Sequence, residues 1–207
     1  MSICHIIGAG EYSDVTINRK ENDYVVVCDG GLRYVEKYDV TPDLVVGDFD
    51  SLGYVPDFPN VVKLPVKKDV TDVGAAIDIA KEKNFDEYRL YCCGGGRISH
   101  TLANVQNLLP LAKAGKRVYL YDKKEVLTIL RNGEMTFPEG KGVFSVFAIG
   151  KASGVSVSGA LYPLSNAELS EDFPLGVSNE FVGKKTVVSV KDGTIIVTFP
   201  LHTDLPK

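Results

Sequence analysis

Pro42-Asp43-Leu44-Val45-Val46-Gly47-Asp48-Phe49-Asp50-Ser51 carries two signals in succession. Leu44-Val45-Val46 is apolar without alternation, as in a short strand covered on both faces. The run then meets Gly47 and two carboxylates at i and i+2. In an extended chain Asp48 and Asp50 point the same way, and like charges so placed repel unless a cation lies between them. Hard divalent cations such as Mg²⁺ take oxygen ligands of this kind and keep other positions for water or phosphate. The plainer reading of the pair is a solvated acidic turn.

Similar apolar runs lie at residues 3–7, 24–28, 61–64, 88–93 and 118–121. Between them, Val73, Ala76, Ile77 and Ala80 follow helical spacing over residues 73–83, with Thr71 as N-cap and Asp72 in the first turn. Leu102, Val105, Leu109 and Ala112 mark a second helix over 101–114, stopped by Gly115. Strands alternating with helices predict an α/β domain with a mostly parallel sheet over residues 1–122. Beyond it the pattern changes to strand-like runs at 126–130, 143–148, 155–157, 186–190 and 194–199. Asn132-Gly133, Glu139-Gly140, residues 151–154 and Asp192-Gly193 supply turn signals, the last of them a hairpin signature. Residues 123–207 therefore read as an all-β sandwich domain.

The length of 207 residues suits one large domain or two small ones. Against 27 Asp and Glu stand 23 Lys and Arg, a net charge of −4, with no basic stripe of the kind that binds nucleic acid. No apolar run approaches the roughly 18 residues of a membrane-spanning helix, and the N-terminus reads as a first strand rather than a signal peptide. Cys4, Cys28, Cys92 and Cys93 form no CxxC pair and read as small buried hydrophobes in a reducing cytoplasm.

Two further loops follow strands, where open α/β sheets place their ligands. Asp29-Gly30-Gly31 puts a carboxylate beside two glycines that admit a close ligand. Gly94-Gly95-Gly96-Arg97-Ile98-Ser99-His100 precedes the second helix; its amides, the helix N-terminus and the Arg97 fork all suit phosphate. Lys68-Asp69-Val70-Thr71-Asp72 opens the first helix and offers Asp69 as another metal ligand. Read blandly, these are tight connections, and Thr71 and Asp72 merely cap a helix. Together they describe an acidic metal cluster and a phosphate cradle, suited to metal-assisted phosphoryl or pyrophosphoryl transfer. No Ser-His-Asp or Cys-His pairing stands out.

Asp29-Gly30-Gly31, Gly47-Asp48-Phe49-Asp50-Ser51, Asp69-x-Thr71-Asp72 and Gly95-Gly96-Arg97-x-x-His100 with Leu102-Ala103-Asn104 resemble, in order and spacing, the thiamine pyrophosphokinase family. The likeness continues in Gly159-Ala160-Leu161-Tyr162-Pro163-Leu164 and Gly176-Val177-Ser178-Asn179-Glu180. The resemblance implies pyrophosphoryl transfer from ATP to the hydroxyl of thiamine, with Mg²⁺, in a cytoplasmic homodimer that shares its site between subunits. It implies that Asp48, Asp50 and Asp69 hold the metal, and that Asp72 and Arg97 join them in catalysis. Asp29, Gly30, Gly31, Gly47, Thr71, Gly95, Gly96, Ser99, His100 and Asn104 would line the ATP side. Tyr162 would stack on thiamine, with Ser178 and Asn179 beside it. Two positions depart from the family pattern, Lys67 and Ser99, each standing where an acidic residue is usual. They motivate one alternative, a catalytically impaired thiamine or nucleotide sensor; a second alternative keeps the catalytic site and changes the acceptor, a pyrophosphokinase for another alcohol.

Overall fold

The computed structural model describes all residues, Met1–Lys207. The chain forms two compact units, Met1–Lys123 and Lys124–Lys207.

In the first unit six strands, β1 (Ile3–Ile7), β2 (Tyr24–Cys28), β3 (Leu44–Gly47), β4 (Val61–Lys63), β5 (Glu87–Tyr91) and β6 (Arg117–Tyr121), lie in the order β6-β5-β1-β2-β3-β4. Every neighbouring pair is parallel. Ile6, Ile7, Val25, Val26, Val27, Val45, Val46 and Leu90 are buried, which is why these strands read as unbroken apolar runs. From β1 the chain steps outward through β2, β3 and β4, then returns to β5 on the other flank of β1. The strand order thus reverses at β1 and β5, the point where open sheets leave a crevice at their carboxyl ends.

After β2 comes a 3₁₀ turn, Asp29–Tyr34, then the short helix α1 (Val35–Tyr38). Helix α2 (Asp72–Lys81) starts as its sequence predicts: the Thr71 hydroxyl accepts a hydrogen bond from Gly74 N at 3.0 Å. Ala76, Ile77 and Ala80 are its buried face. Helix α3 (Ile98–Lys113) starts earlier than the periodicity suggests, with Arg97 at the N-cap, so Ser99 lies in the first turn and does not cap it. Its buried face is Asn104, Leu108, Leu111 and Ala112, while Leu102 is exposed. The predicted stripe is rotated because a polar residue turns inward. Asn104 Nδ2 donates to the Cys93 carbonyl at 2.7 Å, tying α3 to the end of β5.

The second unit is entirely antiparallel, with the order β10-β8-β11-β7 among β7 (Glu125–Phe137), β8 (Lys141–Ser158), β10 (Gly176–Val182) and β11 (Thr186–Pro200). β9 (Leu164–Ser170) pairs with β8 further along the edge that β10 uses. Three expected turns are absent. Asn132-Gly133, residues 151–154 and Asp192-Gly193 all lie inside long strands, at shifts of pairing register. Asp192-Gly193 is a bulge, not a hairpin: Gly193 has φ +118° and its N–H is taken by Asn132 Oδ1 at 2.8 Å. Turn residues here bend a continuing strand. The bends close the sheet over on itself. β7 and β10 stand three strand steps apart in the order, about 14 Å in a flat sheet, yet the Phe137 and Phe181 rings lie 5.3 Å apart. Phe144 and Phe199 complete this aromatic centre of the sandwich.

Candidate active site

The carboxyl ends of β1, β2, β3 and β5 surround a cavity of about 550 Å³ within the first unit. Each of three strands ends in a non-glycine residue with left-handed backbone close behind it: Asp29 (φ 43°) after β2, Phe49 (φ 61°) after β3 and Cys92 (φ 52°) after β5. That conformation costs about 1–2 kcal/mol per residue, and such strain gathers where backbone must be held in one arrangement. Phe49 and Cys92 are anchored by burial. The Asp29 carboxylate is held by the Ser51 hydroxyl, which donates to Oδ2 at 2.5 Å.

Phe49 changes how the acidic pair is built. The chain does not stay extended there, so Asp48 and Asp50 do not share a direction through strand alternation. They meet through a tight turn in which Asp50 N donates to Asp48 Oδ1 at 3.3 Å and Gly53 N to the Phe49 carbonyl at 3.1 Å. The buried Phe49 ring pins the turn, and Asp48 and Asp50 face the cavity on either side of it.

Carboxylate oxygens of Asp29, Asp48 and Asp50 lie within 4.8 Å of one another. Asp29 Oδ1 is buried and has no hydrogen-bond partner. A buried carboxylate oxygen left bare beside two more carboxylates fits a hard divalent cation. Gly47 makes the approach possible, since a Cβ there would lie 3.0 Å from that of Asp29. Asp69 is not in this group; it is exposed and lines a neighbouring pocket of about 260 Å³ beside Thr71, Gly74 and Asn107.

A cation already stands against the cluster. Lys68 Nζ lies 2.6 Å from Asp48 Oδ2 and 3.1 Å from Asp72 Oδ1, with the lysine side chain 12% exposed. The Lys68 hydrogen bond holds the Asp48 carboxyl below its ordinary range. Burial pushes the Asp72 carboxyl up, partly opposed by Lys68. Burial alone would lower the Lys68 ammonium, but its bonds to Asp48 and Asp72 outweigh that and raise it.

Gly95, Gly96, Arg97, His100, Thr71 and Asn104 line the same cavity. Arg97 donates to His100 Nε2, so that ring nitrogen is an acceptor and the imidazole steadies the guanidinium at the start of α3. Gly30, Gly31 and Gly47 are buried behind the wall, and Ser99 and Lys67 are exposed away from it. Sequence reasoning missed Gly8, Ala9 and Gly10 after β1, Ser51, and Lys68. Gly8 and Gly10 directly after the first strand were the available signal; Lys68 left none, because a lysine in a loop reads as solvated.

In the second unit Tyr162 is 62% exposed in the connection between β8 and β9. The buried Asn179 holds its backbone: Asn179 Oδ1 accepts from Tyr162 N at 3.0 Å, and Nδ2 donates to the Tyr162 carbonyl at 2.7 Å. Ser178 is exposed in a left-handed conformation (φ 60°), its N–H bonded to Ser145 Oγ.

Comparison with known proteins adds to this geometry. Residues 18–120 match the family described as "Thiamin pyrophosphokinase, catalytic domain", and residues 133–195 match "Thiamin pyrophosphokinase, vitamin B1 binding domain". The chain is 28% identical over 182 residues to the thiamine pyrophosphokinase of Bacillus subtilis, covering 84% of this chain and 81% of that one. Its fold is similar to the crystal structure of thiamine pyrophosphokinase from Bacillus subtilis, with a TM-score of 0.83, 24% identity, and coverage of 99% and 100% of the two chains. The thiamin pyrophosphokinase structure from Geobacillus thermodenitrificans superposes with a TM-score of 0.80 at 27% identity, covering 95% and 96%. No helix is long and apolar enough to cross a membrane.

Proposed function

The chain belongs to the thiamin pyrophosphokinase family, and on that premise we propose that it transfers the pyrophosphoryl group of ATP to the hydroxyl of thiamine. The observation that carries this reading is the joining of the Asp29-Asp48-Asp50 cluster and the Arg97 loop in one cavity at the strand-order reversal. The acceptor hydroxyl oxygen attacks the β-phosphorus, the bond from that phosphorus to the α,β-bridging oxygen breaks, and AMP leaves. Arg97 and the amides of residues 94–97 hold the phosphates. Asp72, raised by burial, is the group we assign to take the hydroxyl proton. Asp29, Asp48 and Asp50 would hold Mg²⁺, which when bound neutralises charge on the phosphates.

Tyr162 offers its exposed ring to the thiamine heterocycles, a cation suited to an aromatic face. In this reading Ser178 and Asn179 would lie on the same side of the ligand, Asn179 through its bonds to the Tyr162 backbone. The reading includes a cytoplasmic homodimer that completes the site, and Leu161, Phe173, Leu175 and Val177 are exposed apolar residues that a second copy would cover. Lys67 and Ser99, which prompted the sensor alternative, are exposed and are not among the residues lining the cavity.

The test is formation of AMP and thiamine diphosphate from ATP, Mg²⁺ and thiamine, with Asp50→Ala alongside. Asp50 is exposed and no packed side chain is lost, so the variant is expected to keep its melting temperature and lose roughly a hundredfold or more in turnover, the scale of removing one charge-stabilising group. Equal turnover in the two proteins would remove Asp50 from the mechanism. Product with another alcohol but none with thiamine would replace the acceptor.

A further inference from the structure

Lys68 is a feature that the proposed chemistry leaves unused. Its ammonium bridges Asp48 Oδ2 (2.6 Å) and Asp72 Oδ1 (3.1 Å), and both it and Asp48 are nearly closed off from solvent, at 12% and 11% exposure. Asp48 Oδ1 is engaged by Asp50 N at 3.3 Å. Each oxygen of Asp48 therefore already accepts one hydrogen bond within the protein, while Asp29 Oδ1 beside them is bare. A divalent cation that takes Asp48 must share the carboxylate with the ammonium or displace it, and a dication and an ammonium on one carboxylate repel strongly where little solvent screens them.

The cavity wall also sets what displaces Lys68. It carries four carboxylates, Asp29, Asp48, Asp50 and Asp72, against the permanent cations Lys68 and Arg97. A polyphosphate entering such a wall needs every positive charge within reach. Lys68 lies on the connection between β4 and α2, beside the exposed Val66 and Val70, and its flexible four-carbon stem lets the point charge move from one oxygen partner to another.

We infer that Lys68 is an internal cation that neutralises Asp48 and Asp72 in the free protein and passes to the nucleotide phosphates on binding, so that the divalent metal is taken up with the nucleotide and not before it. The inference rests on the pyrophosphokinase reading. In it Lys68 is a positioning residue in the free protein and a phosphate contact in the loaded one. The same move frees Asp72 for its proton.

Mn²⁺ serves as the metal probe, its free concentration read by electron paramagnetic resonance on the full chain with and without the α,β-methylene analogue of ATP. The wild type is expected to bind Mn²⁺ weakly alone and tightly with the analogue. Lys68→Met is expected to bind Mn²⁺ alone roughly tenfold more tightly, the reach of one close like charge, and to bind the analogue roughly tenfold more weakly. Lys68→Arg, which keeps the charge, should behave as the wild type towards the metal, and Lys68→Met with Asp48→Asn should lose the gain. Lys68→Gln supplies the same comparison should Lys68→Met fail to fold. Unchanged or weaker Mn²⁺ binding by Lys68→Met, or tight binding by the wild type without nucleotide, overturns the inference. Failure of every protein to bind the analogue, with metal present, overturns the pyrophosphokinase reading instead.

Discussion

Asn179→Ala separates holding Tyr162 from merely holding the fold. The Asn179 amide makes three hydrogen bonds: Oδ1 accepts from Tyr162 N (3.0 Å) and Glu180 N (2.8 Å), and Nδ2 donates to the Tyr162 carbonyl (2.7 Å). A buried hydrogen bond contributes about 1 kcal/mol net, so the pair of bonds to Tyr162 restrains its segment by about 2 kcal/mol. In the alanine variant that ordering must be met when the ligand binds. At about 1.4 kcal/mol per tenfold, the KM for thiamine is expected to rise by about thirtyfold. The residues lining the phosphate cavity all lie in Met1–Lys123, so the KM for ATP should stay within about twofold. Asn179→Asp keeps the Oδ1 acceptor but turns the 2.7 Å donor contact into a carboxylate oxygen facing the Tyr162 carbonyl, so its expected rise is at least as large as that of the alanine variant. Initial rates of AMP formation, with each substrate varied in turn, give both constants. A lowered melting temperature with an unchanged thiamine KM would refute the reasoning and make Asn179 purely structural. A parallel rise in both constants would refute it too.

Two further predictions concern stability. His5 faces Asp23 at 3.5 Å in the core, both side chains all but fully buried, and burial pushes the imidazole from 6.5 down to about 4. The unfolded chain therefore takes up a proton near pH 6.5 that the folded chain refuses until about 4. Stability should fall as the pH drops through that window, by on the order of 3 kcal/mol; denaturant titrations of His5→Asn that show the same slope would sink this account. Thr71→Ala removes the α2 cap and should cost about 1 kcal/mol, or about 3 °C in Tm, with Thr71→Ser restoring most of it; an unchanged Tm in the alanine variant would show that solvent caps the helix equally well.

The parallel unit was legible because all its strands except the edge strand β4 are largely buried, so burial wrote itself into continuous runs such as Val25-Val26-Val27. Loops after such strands were legible as site loops for the same reason, since the topology fixes which ends carry ligands. What escaped depended on contacts between distant residues. The bare oxygen of Asp29 joins Asp48 and Asp50 only through β2 and β3 pairing, which no local spacing records. The left-handed Phe49 is set by the core that swallows its ring, against the ordinary preference of a bulky residue. In the β unit, Asp192-Gly193 has hairpin composition, yet β7 and β8 flank it on both sides and the ladder outvotes the turn. Asn104 faces inward because an open carbonyl at Cys93 waits for it.

The place of β11 bears on how the protein is made. It pairs with β7 on one edge and with β8 on the other, so it is the inner strand on which the second unit is assembled. It also emerges from the ribosome after every other strand of that unit, whereas every strand and helix of the first unit has been synthesised by residue 121. At roughly 5–20 residues per second, some 4–15 s pass between the two events. During that interval the first unit has all its strands, while β7 and β8 wait with open edges on the growing chain, where another nascent chain can pair with them. Chaperone demand during synthesis should therefore concentrate on the second unit, and a ribosome stall before residue 186 should be far more damaging than one just after residue 123.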